Sequence, residues 1–216
     1  HDKVYKKSRI KLMRILKMIF VAFAAGIASS LHAETGTEIA RCVSAPPVLV
    51  DRAARRGEDA ASFYIGKQLL REGCTNDIRR DGLAILEELA SRDHAPTLLF
   101  LGRLVLASGS TVAVEAEAIA MIRQSARLGE PEAQALYGLL LVSDAQDAQQ
   151  RDEGFYWLGS AANNGIVQAA LTVSVIYAEG MHGVAKDQCI AKIWRDAAHL
   201  LVYPGAKARP SPAICE

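Results

Sequence analysis

The side chains best suited to covalent or metal chemistry in this sequence are four cysteines, Cys42, Cys74, Cys189 and Cys215, together with His94, His182 and His199. The cysteines lie far apart, with no Cys-x-x-Cys pair and no histidine cluster beside them, so the ligand spacing of a tetrahedral zinc site is missing. In an exported chain, an even number of cysteines without such a cluster points instead to disulfides. His182 stands in the loop-like segment Gly-Met-His-Gly-Val, with no second titratable group at ligand or relay spacing. Glu87-Glu88 and Glu115-x-Glu117 offer neighbouring carboxylates, but on a helix such neighbours point apart, which makes them solvated surface rather than an acid–base pair. A Gly-rich phosphate loop, His-Glu-x-x-His and Gly-x-Ser-x-Gly are absent from the sequence. The expectation is therefore binding rather than catalysis, with no catalytic residue, no metal and no cofactor.

The N-terminus supplies a route to an oxidising compartment. Lys3, Lys6, Lys7, Arg9, Lys11, Arg14 and Lys17 precede the apolar run MIFVAFAAGIA and the small-residue stretch SSLHA, the pattern of an export signal over 1–33 with cleavage after Ala33. The apolar run is shorter than the roughly 20 residues that a spanning helix needs. Met13 would open a signal of ordinary length, with 1–12 an upstream extension or tag remnant. Beyond residue 33 there remain 18 of the 25 basic and 23 of the 24 acidic residues, a net charge near −5 that does not favour nucleic-acid binding. The expected product is periplasmic or secreted, with no stable membrane span.

The remainder has to be positioned by helices, because half the residues are apolar, aromatics make up only 6%, and Ala and Leu abound. Self-comparison gives their arrangement. Gly66, Gly102, Gly138 and Ser174 recur at intervals of 36, as do Ala54, Ala90, Ala126, Ala162 and Ala198, and Val50, Leu86, Ile122, Leu158 and Trp194. Two further columns, Ile65, Leu101, Tyr137, Val173 and Leu69, Val105, Leu141, Tyr177, lie four residues apart and so share one helix face. First helices are expected near 60–72, 96–108, 132–143 and 168–179, and second helices near 80–92, 116–128, 152–164 and 188–200. Turn residues at Arg56-Gly57, Arg92-Asp93, Leu128-Gly129 and Asn164-Gly165 punctuate the joints. Glycine in a helix costs about 0.5–1 kcal/mol relative to alanine, so the glycine and alanine columns imply close helix contact.

The fold expected is all-α, an α-solenoid of about four 36-residue helix-turn-helix repeats over 48–200, opened by a half repeat at 46–57. Residues 34–47 form an N-terminal segment and 201–216 a C-terminal tail.

The last repeat, with Ala169, Tyr177, Gly180, Gly183, Val184, Asp187, Ala191, Trp194, Ala197 and Ala198, resembles the Sel-one-like repeat (SLR) pattern. The third repeat keeps Ala133, Gly138, Ala161, Ala162 and Gly165 but lacks the Gly-x-Gly-Val loop, and the first two diverge further. The tetratricopeptide repeat is similar but has a period of 34. The resemblance implies a right-handed superhelix whose first helices line a concave surface, used as an adaptor for proteins or cell-wall material. It implies three settings: an interaction scaffold of the bacterial envelope, a flagellar-motor accessory (with cysteines like Cys42 and Cys74), and a cell-wall binding or hydrolysing factor.

In a solenoid, Cys74 and Cys189 stand three repeats apart, beyond the about 7 Å that a disulfide spans between Cα atoms. The expected pairs are Cys42 with Cys74 and Cys189 with Cys215, the second tying the tail back along the last helix. The first-helix face left unused by the core columns carries Tyr64, Lys67, Gln68 and Arg71, then Phe100, Arg103 and Leu104. The aligned pairs Tyr64/Phe100 and Lys67/Arg103 suit an acidic or aromatic-bearing peptide or a carboxylate-rich glycan, or else pack between neighbouring helices. In later repeats the same positions are Leu136, Leu139, Thr172 and Val175, so the face turns apolar. Trp194 falls in a core column, whereas Trp157 lies one residue before one, beside Tyr156, as a weaker contact candidate.

Overall fold

The computed structural model describes residues 58–71, 74–108 and 111–205, and every regular element among them is an α-helix. In order these are α1 (Asp59–Leu69), α2 (Asn76–Ala90), α3 (Ala95–Ala107), α4 (Val112–Arg127), α5 (Pro131–Ser143), α6 (Ala148–Asn163), α7 (Val167–Glu179) and α8 (Gln188–Val202). The chain divides into two compact units, His1–Thr97 and Leu98–Glu216, with the division inside the first turn of α3. The export signal, the 34–47 segment, the half repeat and the tail beyond residue 205 lie outside the described residues. None of the helices described is long and apolar enough to cross a membrane.

Odd-numbered helices are the first helices of the sequence repeat and even-numbered ones the second. α1 packs on α2, α5 on α6 and α7 on α8, in antiparallel pairs, with α4 on α5 and α6 on α7 linking successive pairs in the second unit. The first helices match their expected spans closely. The second helices α2, α4 and α6 each begin four residues before the expected start, and in α2 and α6 a side chain caps that start, whereas Thr111 before α4 makes no side-chain cap. Thr75 Oγ1 accepts a hydrogen bond from Ile78 N (3.4 Å), and Asp147 Oδ1 accepts from Gln150 N (2.8 Å), each satisfying a first-turn donor. Thr75, Thr111 and Asp147 stand 36 residues apart at the N-cap, so this column marks the true helix start. In the last repeat the cap moves to Asp187, which accepts from Ile190 N. The intervening loop holds three left-handed residues, Gly180, His182 and Gly183, and takes up the extra turn.

Second helices end in a repeated Schellman arrangement. The N–H groups of His94, Glu130 and Ile166 donate to the carbonyls of Leu89, Ser125 and Ala161, across Asp93, Gly129 and Gly165 at φ 59°, 93° and 92°. Glycine relieves the left-handed backbone at two of these joints, and aspartate tolerates it at the third.

The helix pairs touch through backbone. A Cβ placed on Gly138 would lie 2.7 Å from the Gly154 carbonyl oxygen and 2.8 Å from Leu158 N, and one on Gly154 would lie 2.6 Å from Val142 Cγ2. Gly66 and Gly82 make the matching contact in the first unit, and Gly102 lies against Ile122 and the Ala118 carbonyl. A second small-residue column, Gly82, Ala118 and Gly154, thus faces the first one at the same 36-residue step. In the last repeat, Ser174 replaces glycine and donates its hydroxyl to the Ala191 carbonyl at 2.7 Å. Ala126, Ala162 and Ala198 are buried and Ala90 is half-buried, while Trp194 packs half-buried against the core built around Leu158 and Val173.

Candidate functional site

One register of the first helices is exposed in every repeat. Lys67, Arg103, Leu139 and Val175 are all exposed, and the neighbouring row of Tyr64, Phe100, Leu136 and Thr172 is half-buried throughout. Helical geometry explains the pairing: positions three apart share a face, and the rows lie beside the fully buried column of Ile65, Leu101, Tyr137 and Val173. Large aliphatic side chains left in solvent on the first helices are Leu104 (45% exposed), Leu139 (39%), Leu171 (37%) and Val175 (52%).

In the second unit these rows border a groove of about 260 Å³ that crosses α3, α5 and α7. Arg103 of α3, Leu136 and Leu139 of α5, and Ala169 and Thr172 of α7 line it, with buried Leu158 contributing from α6 and the two leucines forming a wall along α5. Arg103 and Glu132 approach to 3.6 Å with both side chains more than 60% exposed, a contact worth at most about 1 kcal/mol. Pockets that enclose drug-sized ligands run from about 300 Å³ upward, so this groove fits one or two apolar side chains.

The other residues singled out by sequence fall as follows. In the first unit Lys67 Nζ lies 4.9 Å above the Phe63 ring, and Gln68 Oε1 accepts a hydrogen bond from Arg71 Nη1 at 2.9 Å. Tyr64, Lys67, Gln68 and Arg71 all sit on or just beyond α1, while Phe100 and Arg103 belong to α3 in the second unit. Trp157 is half-buried against the core containing Ile122 and Tyr137, its ring edge-on to Tyr137 at 5.9 Å, and its indole N–H donates to Glu153. Burial of the Tyr137 phenol, reinforced by the nearby Glu153 carboxylate, raises its pKa above the usual 10.0, against the opposing pull of Arg123 and Arg127. These are packing roles.

Cys74 and Cys189 are both disulfide-bonded, and no described cysteine is free. Cys42 and Cys215 lie outside the described residues, as therefore do both expected pairings. No group of three or more His, Cys, Asp or Glu side chains capable of holding a metal occurs among the described residues.

Sequence reasoning missed Glu132, the ion-pair partner of Arg103, and Gln134, a buried polar bridge. Gln134 Nε2 donates to the Ala126 carbonyl, and its Oε1 accepts from Ser160 Oγ and Asn164 Nδ2, tying α4, α5 and α6 together. Other repeats place Ser62, Leu98 and Ala170 at that register, so periodicity carried no signal for it.

With this geometry in place, comparison with solved structures identifies the fold. The chain is similar to a protective antigen of uropathogenic Escherichia coli that displays an SLR fold, with a TM-score of 0.55, 20% identity, and coverage of 91% of this chain and 39% of that one. A Sel1 repeat protein from Oxalobacter formigenes is similar at a TM-score of 0.41 and 18% identity, covering 77% of this chain and 58% of that one. The chain thus spans well under two thirds of the length of either protein. No family model matches the sequence. No curated protein matches it either. The fold is an α-solenoid of helical repeats of the SLR type.

Proposed function

We propose that this protein is an exported interaction scaffold of the bacterial cell envelope, which holds a partner protein on the face formed by its first helices. The observation that carries the reading is the exposed row of Arg103, Leu139 and Val175 on consecutive first helices, bordering an open apolar groove. Burying an exposed aliphatic side chain contributes about 25 cal/mol per Å² of apolar area, and repeat folds present such rows along an extended surface. The N-terminal sequence pattern and the half-cystines at Cys74 and Cys189 support export. The groove offers a cation and aliphatic side chains, the chemistry of binding a partner.

The test is chemical crosslinking in intact cells, followed by affinity recovery of the tagged protein from the envelope fraction. A defined envelope protein recovered with the wild type, and lost with Leu139→Asp, is the expected result. Recovery of the tagged protein in the cytoplasm alone would overturn the export half of the reading, and an unaltered adduct pattern in the variant would overturn the docking half.

A further inference from the structure

Resting on that reading, we propose that the groove takes an extended peptide segment in which a carboxylate and an aliphatic or aromatic side chain lie about three residues apart. The carboxylate binds Arg103, and the apolar side chain enters the groove against Leu136 and Leu139.

The lining chooses a side chain over a sugar. Leu136, Leu139, Leu158, Ile166 and Ala169 are aliphatic, and no aromatic ring borders the groove to stack on a pyranose. Its volume of about 260 Å³ is below that of a typical small-molecule pocket and suits a leucine-sized insertion.

Charge and register choose the polar element. The exposed row is basic at Lys67 and again at Arg103, whereas the acidic Glu132 has Ala60, Pro96 and Gln168 at its register in the other repeats. The Arg103–Glu132 contact is longer than a hydrogen bond and exposed, so the guanidinium keeps donors for an incoming carboxylate, which it binds bidentately better than Glu132 does at 3.6 Å. Glu132 then acts as a competitor that the partner displaces.

Geometry sets the spacing. Side chains of α3 and α5 meet at Arg103 and Glu132, and an extended chain advances about 3.3 Å per residue, so a step of about 10 Å from Arg103 to the Leu136 and Leu139 wall takes about three residues.

The experiment pans a random dodecapeptide phage library against the purified protein with its disulfides intact. Affinities of a labelled copy of the enriched peptide are then measured by fluorescence anisotropy. The expected consensus places Asp or Glu about three residues from Leu, Ile, Phe or Met. Leu139→Asp should weaken binding at least about tenfold and Arg103→Ala about fivefold, whereas Glu132→Gln should strengthen it about twofold. Val112→Asp, which adds the same charge at an 84% exposed site on α4, should change nothing. A basic consensus, no consensus, loss of binding in Glu132→Gln, or binding that survives Leu139→Asp would each overturn the proposal. An envelope partner whose recovery from cells ignores Leu139→Asp and Arg103→Ala leaves the scaffold standing and removes this inference. An acidic–apolar consensus with the expected variant pattern, but no partner in crosslinked cells, leaves this inference and removes the scaffold.

Discussion

Replacing Gly138 with alanine should destabilise the protein, although alanine is the better helix former. The added Cβ would meet the Gly154 carbonyl oxygen at 2.7 Å and Leu158 N at 2.8 Å, both main-chain atoms of the facing helix. Side-chain rotation cannot relieve them. Restoring an ordinary contact of 3.4 Å requires α5 and α6 to separate by about 0.7 Å. A gap of about 0.5–1 Å forfeits a quarter to a half of each affected dispersion contact, and overpacked cores lose about 1–3 kcal/mol. Against this stands a helix-propensity gain of about 0.5–1 kcal/mol. The net expectation is a loss of about 1–2 kcal/mol, a fall in Tm of about 2–8 °C for a chain of this size. Gly159→Ala is the matched control. Gly159 also lies inside α6, but its Cβ would meet only the end of the Trp194 ring at 3.4 Å, so the propensity gain survives and stability should rise by about 0.5 kcal/mol or more. Circular dichroism under heat and urea measures both. A neutral or stabilising Gly138→Ala would refute backbone contact as the reason for the glycine column.

Four further outcomes follow from the same structure. Gln134→Leu removes the partner of Ser160, Asn164 and the Ala126 carbonyl, and urea unfolding should show a loss of about 1–3 kcal/mol. Gly165→Ala meets no atom within 4 Å but is held at φ 92°, so calorimetry should show a loss of about 1–2 kcal/mol from backbone strain alone. The Tyr137 phenol has a folded pKa raised above 10.0 by burial and then Glu153, so its contribution is full below that value and lost as pH rises through the folded pKa. Stability should therefore decline above about pH 10, and Tyr137→Phe should flatten the decline. Peptide mapping without reduction should recover Cys42 joined to Cys74 and Cys189 joined to Cys215, and dithiothreitol should cost about 2–4 kcal/mol per bridge.

Much of this fold was legible because its contacts are backbone contacts repeated in register. The column of Gly66, Gly102 and Gly138 announces helices that nearly touch, and the structure places those glycines against Leu86, Ile122 and the Gly154 carbonyl. The opposing column of Gly82 and Gly154 was overlooked because Ala118 and Ile190 interrupt its glycine pattern. Second-helix starts were read four residues late for a similar reason. Thr75 and Asp147 act alike as caps but differ as letters, Thr111 at the same register makes no side-chain cap, and in the best-patterned repeat the cap stands at Asp187, out of step.

The candidate site was legible row by row. Exposure of position 139 follows from the repeat register it shares with Arg103, but the groove does not, since Ala135, Leu158 and Ala169 reach its lining from three different helices. Gln134 was invisible because a single buried amide has no periodic signature. Its role depends on Ser160 and Asn164 arriving from 26 and 30 residues away.

Site-specific photo-crosslinking in living cells tests the central claim most directly. A photoreactive residue at Leu139 should form an adduct with one defined envelope partner, and the same residue at Val112, 84% exposed on a second helix, should not. Adducts at position 112 with none at 139 would contradict the assignment of partner binding to the first-helix groove, as would silence at both sites.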